Sequence, residues 1–326
     1  MSELPAAPAS GRAPVDPSTI SLSAHSRVLL AASAAAPPFA ATPLPAQRSA
    51  REDAVAAALE RRGVTPVASA RDVAPEEAGV ALRVYEPLVA ASAAPAILFL
   101  HGGGWALCSV RTHDEVCRML CSFSGCEVVS CDYRLSPEAR FPLPLDDCAA
   151  GYTWAARRAK AGVVLCGDSA GGNLAAALAL RLRDERAVPQ PLAQVLIYPA
   201  LDAECSSDSY VRFSSGFSLT LDKMAWFWGH YLGTDAALRK WPYVSPLHAQ
   251  SLEGLPPALL VLADADVLRD EGEAYAAALR GAKGRADVRV FGGVLHGFVA
   301  DPDSDAAPEA LRFIAAWLRD AGLVQV

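Results

Sequence analysis

The sequence predicts an α/β chain built on a mainly parallel sheet with helices on both faces. Three observations carry this. Short apolar runs recur at 80–85, 96–100, 127–130, 163–166, 194–198, 258–262 and 288–291. Most are apolar throughout rather than alternating, as strands buried on both sides must be. Helical stretches, among them 173–183, 272–280 and 308–319, lie between the runs or after the last one, and no internal repeat interrupts the order.

With 326 residues, 52% of them hydrophobic, the chain can bury one large core and carry a smaller appendage. It holds 29 basic and 36 acidic side chains, a net charge of −7. No basic run with interleaved aromatics appears, so a nucleic-acid partner is not expected. The eight cysteines (Cys108, Cys117, Cys121, Cys126, Cys131, Cys148, Cys166, Cys205) show no short disulfide framework. Cys117, Cys121 and Cys126 sit close together but lack a CxxC pair or matching histidines. They read as reduced buried thiols, and no metal is expected.

Arg27 and Arg48 bracket 20 uncharged residues. Pro37, Pro38, Pro43 and Pro45 break this stretch, and alanine rather than leucine dominates it. Neither a membrane span nor a signal peptide is expected there, and the expected location is cytoplasmic.

The N-terminal segment, 1–60, is Ala/Pro-rich over its first fifty residues, with its first dozen expected to be disordered. Within it, 51–61 reads as a helix with Val55 and Leu59 on one face. The predicted catalytic domain comprises 61–202 and 251–326. Between its two parts, 203–250 holds many aromatics and no clear strand. So long an insertion at a strand's C-terminal edge reads as a cap or lid over a site, with a plain helical packing element as the alternative.

Two motifs carry chemistry. Gly167-Asp168-Ser169-Ala170-Gly171 matches G-x-S-x-G, preceded by an apolar run and followed by a helix. A nucleophile on so tight a strand-to-helix turn needs neighbours without side chains, and the helix N-terminus behind it favours developing negative charge. The second motif, His101-Gly102-Gly103-Gly104-Trp105, directly follows the run at 96–100. Consecutive glycines cost backbone entropy, but they let N–H groups turn toward a tetrahedral oxyanion. Gly103, Gly104 and Ala170 are the candidate donors.

A serine nucleophile needs a base and the base needs an orienting acid. Of the six histidines, His296 lies in a loop after the last run and before the final helix, and His248 is the second choice. His25 and His101 sit in unsuitable segments, while His113 and His230 fall in predicted helices. Asp264, Asp266 and Asp270 follow the run at 258–262, and any of them satisfies the order Ser, Asp, His. Asp266 is preferred; Asp270 reads as an acid at the start of the next helix. Asp168 is read as holding the turn together, since a carboxylate aimed at an oxyanion would oppose catalysis.

Taken together these segments resemble the hormone-sensitive-lipase-like esterases. The resemblance rests on HGGGW at 101–105, DYRLSPE at 132–138, GDSAGGNLA at 167–175, LIYPALD at 196–202 and DVLRDEGEAY at 266–275, with SPL at 245–247, LPPALL at 255–260 and HGF at 296–298. It covers the chain from about residue 80 onward. It implies an eight-stranded α/β-hydrolase fold with a helical cap built from the N-terminal segment and the insertion after Asp202. It implies a triad of Ser169, Asp266 and His296, settling Asp266 over Asp264, and hydrolysis of short-to-medium acyl esters without a cofactor. Ser136 stands where the family usually has alanine, and the N-terminal segment is richer in Ala and Pro than cap helices normally are. Tyr133, Arg134 and Glu138 are expected to form a buried network supporting the glycine loop.

The expected partner is a small-molecule ester. Trp105, Phe213, Phe217, Trp226 and Phe227 are the candidates for lining its apolar pocket. An acyltransferase using the same acyl-enzyme, an amidase and a ligand-binding relative remain as alternatives, although fold-sharing binding proteins of the family lack the catalytic histidine. Oligomeric state is left open, a homodimer included.

Overall fold

The computed structural model describes residues 13–36 and 38–325, so the expected disorder of the first dozen residues lies outside the described part. Eight strands form one sheet: β1 (Ser69–Val73), β2 (Leu82–Glu86), β3 (Ala96–Leu100), β4 (Val128–Cys131), β5 (Val163–Asp168), β6 (Ala193–Ile197), β7 (Ala258–Ala265) and β8 (Ala286–Leu295). Their spatial order is β1-β2-β4-β3-β5-β6-β7-β8. β1 and β2 run antiparallel to their neighbours, and every pairing from β4 to β8 is parallel.

The helices are α1 (Ala24–Ala35), α2 (Leu44–Arg62), α3 (Pro75–Ala78), α4 (Asp114–Ser124), α5 (Leu143–Arg158), α6 (Ala170–Asp184), α7 (Asp208–Arg212), α8 (Leu221–Leu232), α9 (Arg269–Gly281) and α10 (Ala306–Asp320). The uniformly apolar strands are explained by two cores. Leu98 and Leu100 of β3, Leu165 of β5 and Leu260 and Leu262 of β7 face one core, shared with Leu174 and Leu178 of α6. Ile97 and Phe99, Val164 and Cys166, and Leu259 and Val261 face the other, with Leu120 of α4 and Leu311 of α10. Alternate side chains go to opposite faces, and both faces are covered.

β1 escaped the sequence reading because Ser-Ala-Arg-Asp-Val carries no apolar run. It is an edge strand, and only Val73 within it is fully buried. Among its described residues, the Ala/Pro-rich N-terminal segment is largely helical. α2 begins seven residues before the predicted helix; Val55 and Ala58 are buried on it and Leu59 is half-buried. Pro45 does not forbid α2, because it occupies the helix's first turn, where no intrahelical N–H bond is lost. No helix among the described residues is long and apolar enough to cross a membrane. All eight cysteines are buried and unpaired. The insertion at 203–250 contains α7, α8 and two 3-10 turns, and no strand.

Candidate active site

The parallel strands all point their C-terminal ends at one edge of the sheet, and the candidate residues gather there. Ser169 follows β5 directly and caps α6, with φ 54° and ψ −117°. A residue with a side chain is strained in this region by about 1–3 kcal/mol. The turn is held by its own backbone: Ser169 N–H donates to Ile197 O at 2.8 Å, and Asn173 N–H donates to Ser169 O at 3.0 Å. Gly171 has to be glycine, since a Cβ there would collide with the carbonyl of Leu100.

His296 follows β8 directly, and Asp266 follows β7 directly. His296 Nε2 lies 2.9 Å from Ser169 Oγ, and His296 Nδ1 lies 2.7 Å from Asp266 Oδ2. Asp266 is buried, and its Oδ1 accepts the Leu268 N–H at 2.9 Å. The competing residues are engaged elsewhere: Asp264 pairs with Arg269 at 2.7 Å, and Asp270 accepts the Ser209 N–H at 2.8 Å. His248 pairs with Asp202 at 2.9 Å.

The glycine loop leaves β3, the immediate neighbour of β5, so it stands beside the serine turn. Gly103, Gly104 and Ala170 all border the same cavity as Ser169 and His296. Among the described residues, the N–H groups of Gly103 and Gly104 donate to no backbone or side-chain acceptor. Gly104 sits at φ 59°, and a Cβ on it would run into the Phe227 ring. The insertion at 203–250 therefore meets the loop at a point where only glycine fits.

Asp168 ties the two motifs together. Its Oδ1 accepts the Gly102 N–H at 2.8 Å and lies 3.2 Å from His113 Nε2, all of these groups being buried or nearly so. Burial alone would raise this carboxyl. His113, the Gly102 N–H and His101 outweigh burial and hold it below its usual range. Burial, reinforced by His113, also pushes His101 down to about 3. Its ring stacks on Tyr133 at 4.3 Å, and the Tyr133 hydroxyl donates to His101 O at 2.7 Å. Tyr133 thus supports the glycine loop as expected, but the buried network does not extend to its neighbours. Arg134 pairs with Asp147 and Glu138 with Arg48, and the Arg134 and Glu138 side chains reach the solvent. Long charged side chains at a surface keep their heads hydrated while pairing.

A cavity of about 640 Å³ opens in front of Ser169. Of the predicted pocket residues, Phe227 and Trp105 border it. The Trp105 indole is fully buried and stacks on Tyr231 at 4.5 Å, so it anchors the loop to α8. Phe213, Phe217 and Trp226 require correction, for none of them borders the cavity. Phe213 and Phe217 pack edge to face in the core, and Trp226 packs on Phe39 and His230. An aromatic-rich stretch marks a buried element, but it does not say which rings face a ligand. Leu219 and Met224 of the insertion, together with Phe39, Arg51 and Ala54 of the N-terminal segment, form the wall that sequence reasoning missed. Two signals pointed to these segments without naming the residues: the helix read at 51–61 and the resemblance, which implies a cap built from the N-terminal segment and the insertion after Asp202.

Comparison with known proteins agrees with this architecture. A family model described as alpha/beta hydrolase fold matches residues 97–300. The chain belongs to that family. It is 42% identical over 217 residues to the carboxylic ester hydrolase LipN of Mycobacterium tuberculosis, a match covering 64% of this chain but only 58% of that protein. It is 37% identical over 226 residues to the ethyl acetate hydrolase of Pseudomonas putida, covering 67% of this chain and 71% of that protein. A solved esterase from Pyrobaculum calidifontis superposes with a TM-score of 0.84 at 37% identity, covering 93% of this chain and 99% of that one. These relatives carry esterase or ester-hydrolase names, the class that the sequence resemblance implied.

Proposed function

We propose that this chain is a serine carboxylesterase acting on short-to-medium acyl esters through an acyl-enzyme. The observation that carries the reading is the continuous relay from Ser169 Oγ through His296 to Asp266 at 2.9 and 2.7 Å. His296 takes the Ser169 proton as Oγ attacks the ester carbonyl carbon. The oxyanion forms against the N–H groups of Gly103, Gly104 and Ala170. The tetrahedral species collapses, the C–O bond breaks, and the alcohol leaves with the proton from His296. Water, deprotonated by His296, then attacks the acyl-enzyme and releases the acid. Asp266 orients the imidazole and stabilises its charged form. The presence of His296 separates the chain from the binding proteins that share the fold.

The test is release of nitrophenolate from a 4-nitrophenyl ester series, acetate to palmitate, by wild type and Ser169→Ala in parallel. The reading expects Ser169-dependent release that is fastest on the short chains. Folded wild-type protein that releases nothing, or a Ser169→Ala protein as fast as wild type, would refute it.

A further inference from the structure

The cavity in front of Ser169 is mainly apolar, yet two cations border it: Arg51 from α2 and Lys223 from α8. Among the described residues neither has a carboxylate within ion-pairing distance, although Arg and Lys elsewhere in this chain repeatedly do. Arg51 is exposed and borders the cavity. Its strongest electrostatic neighbour is the Cys108 thiol, which burial pushes up and leaves uncharged at neutral pH. The next, Asp301, is already bound to His25 at 2.7 Å. Lys223 donates to the Ser218 carbonyl at 2.7 Å, and burial lowers its pKa.

The other ionisable groups facing this space are accounted for. Asp168 is matched by His113, and Asp266 stands behind His296. Ser218 connects Lys223 to the reacting groups, since its hydroxyl donates to His296 O at 3.3 Å. Burial partly strips Lys223 of water, and Arg51 stands at the same cavity with its charged form favoured, so an anionic ligand there meets two cations with no ion-paired carboxylate among the described residues. In such surroundings a charge-assisted hydrogen bond is among the stronger contacts available.

We propose that Arg51 and Lys223 form a subsite for a carboxylate on the substrate, so that the preferred esters are singly anionic. Half-esters of dicarboxylic acids, and hydroxy acids acylated on their hydroxyl, both have this chemistry. The inference rests on the esterase reading above and adds the substrate class. Arg51 and Lys223 are specificity residues and take no part in the bond-making steps.

The experiment uses two ester pairs matched in size. Mono-4-nitrophenyl glutarate is set against 4-nitrophenyl pentanoate for charge on the acyl side. 4-Carboxyphenyl butanoate is set against 4-carbamoylphenyl butanoate for charge on the alcohol side. The readout is kcat/KM of the anionic ester over that of its neutral partner. In at least one pair, Arg51→Gln and Lys223→Gln lower this ratio about tenfold or more, as loss of a charged hydrogen bond requires. Arg51→Lys retains part of the ratio, and added salt lowers it in wild type. The pair that responds identifies the side of the ester. Wild type supplies an independent check that needs no variant: glutarate inhibits hydrolysis of 4-nitrophenyl pentanoate more strongly than glutaramide does. Ratios that stay flat in both pairs and both variants, or equal inhibition by the two compounds, overturn the proposal while neutral-ester hydrolysis stands. Failure of the esterase reading looks different, because no ester of either kind then reacts in a Ser169-dependent way.

Discussion

Ser169 Oγ and His296 Nε2 lie 2.9 Å apart although 127 positions separate them in the chain. The contact exists because β5 and β8 end at the same edge of one parallel sheet, with β6 and β7 between them. Asp266, at the end of β7, reaches the same imidazole from the other side. On the proposed mechanism, Ser169→Ala abolishes turnover. Asp266→Asn lowers kcat by about 10⁴, because the amide supports the wrong imidazole tautomer. Steady-state kinetics on 4-nitrophenyl butanoate measures both, and an Asp266→Asn protein within tenfold of wild type would remove Asp266 from the relay.

Gly104→Ala tests the glycine loop. The added methyl meets the Phe227 ring at a residue whose φ of 59° already disfavours a side chain. The loop must move, and displacing one oxyanion donor costs on the order of 10²–10³ in kcat. Pairing the change with Phe227→Leu relieves the collision and recovers part of the rate. If the double variant were no better than the single one, the contact with Phe227 would not be what constrains the loop.

His113→Ala should destabilise the fold more than it alters the chemistry directly. It leaves the buried Asp168 carboxylate with the Gly102 N–H and without its partner at 3.2 Å. Leaving a buried polar group short of a partner costs about 1–3 kcal/mol. Denaturant unfolding reads the loss, and a change below about 1 kcal/mol, the level of a surface pair, would show that the pair does not hold the turn.

Glu271 supplies a pH signature. Its carboxyl is buried; Oε1 accepts the Leu201 N–H at 2.9 Å, while Oε2 has no partner among the described residues. Burial raises it well above the ordinary carboxylate value, with Asp202 and Asp266 adding to the effect and the Leu201 N–H opposing it. The folded chain therefore keeps this proton to a higher pH than the unfolded chain does. The associated stability is full below the unfolded value of about 4.3 and is lost as pH rises toward the folded value. Glu271→Gln keeps the acceptor for Leu201 without the titration. The Tm of wild type should fall relative to Glu271→Gln as pH rises through that window. Two Tm profiles that run parallel would contradict the assignment.

The sequence by itself determined the parallel sheet and singled out the candidate residues that the structure brings together at its edge. Both signals are local: runs apolar on both faces mark β3 to β7, and glycines packed around Ser169 and at 102–104 mark turns that tolerate no side chain. Asp266 was narrower. Three acids followed the same strand; the residues themselves favoured Asp266 over Asp264, and the family resemblance settled that choice. Only the tertiary structure put Asp266 on the imidazole and Asp264 on Arg269. It also decided which aromatics face the cavity, sending Phe213 and Phe217 into the core and bringing Phe39, Arg51 and Lys223 to the wall. Hydrophobicity records that a ring is buried. Whether it is buried against protein or beside a cavity depends on where α2 and α8 lie around that cavity, and their placement is set by contacts between segments far apart in the chain.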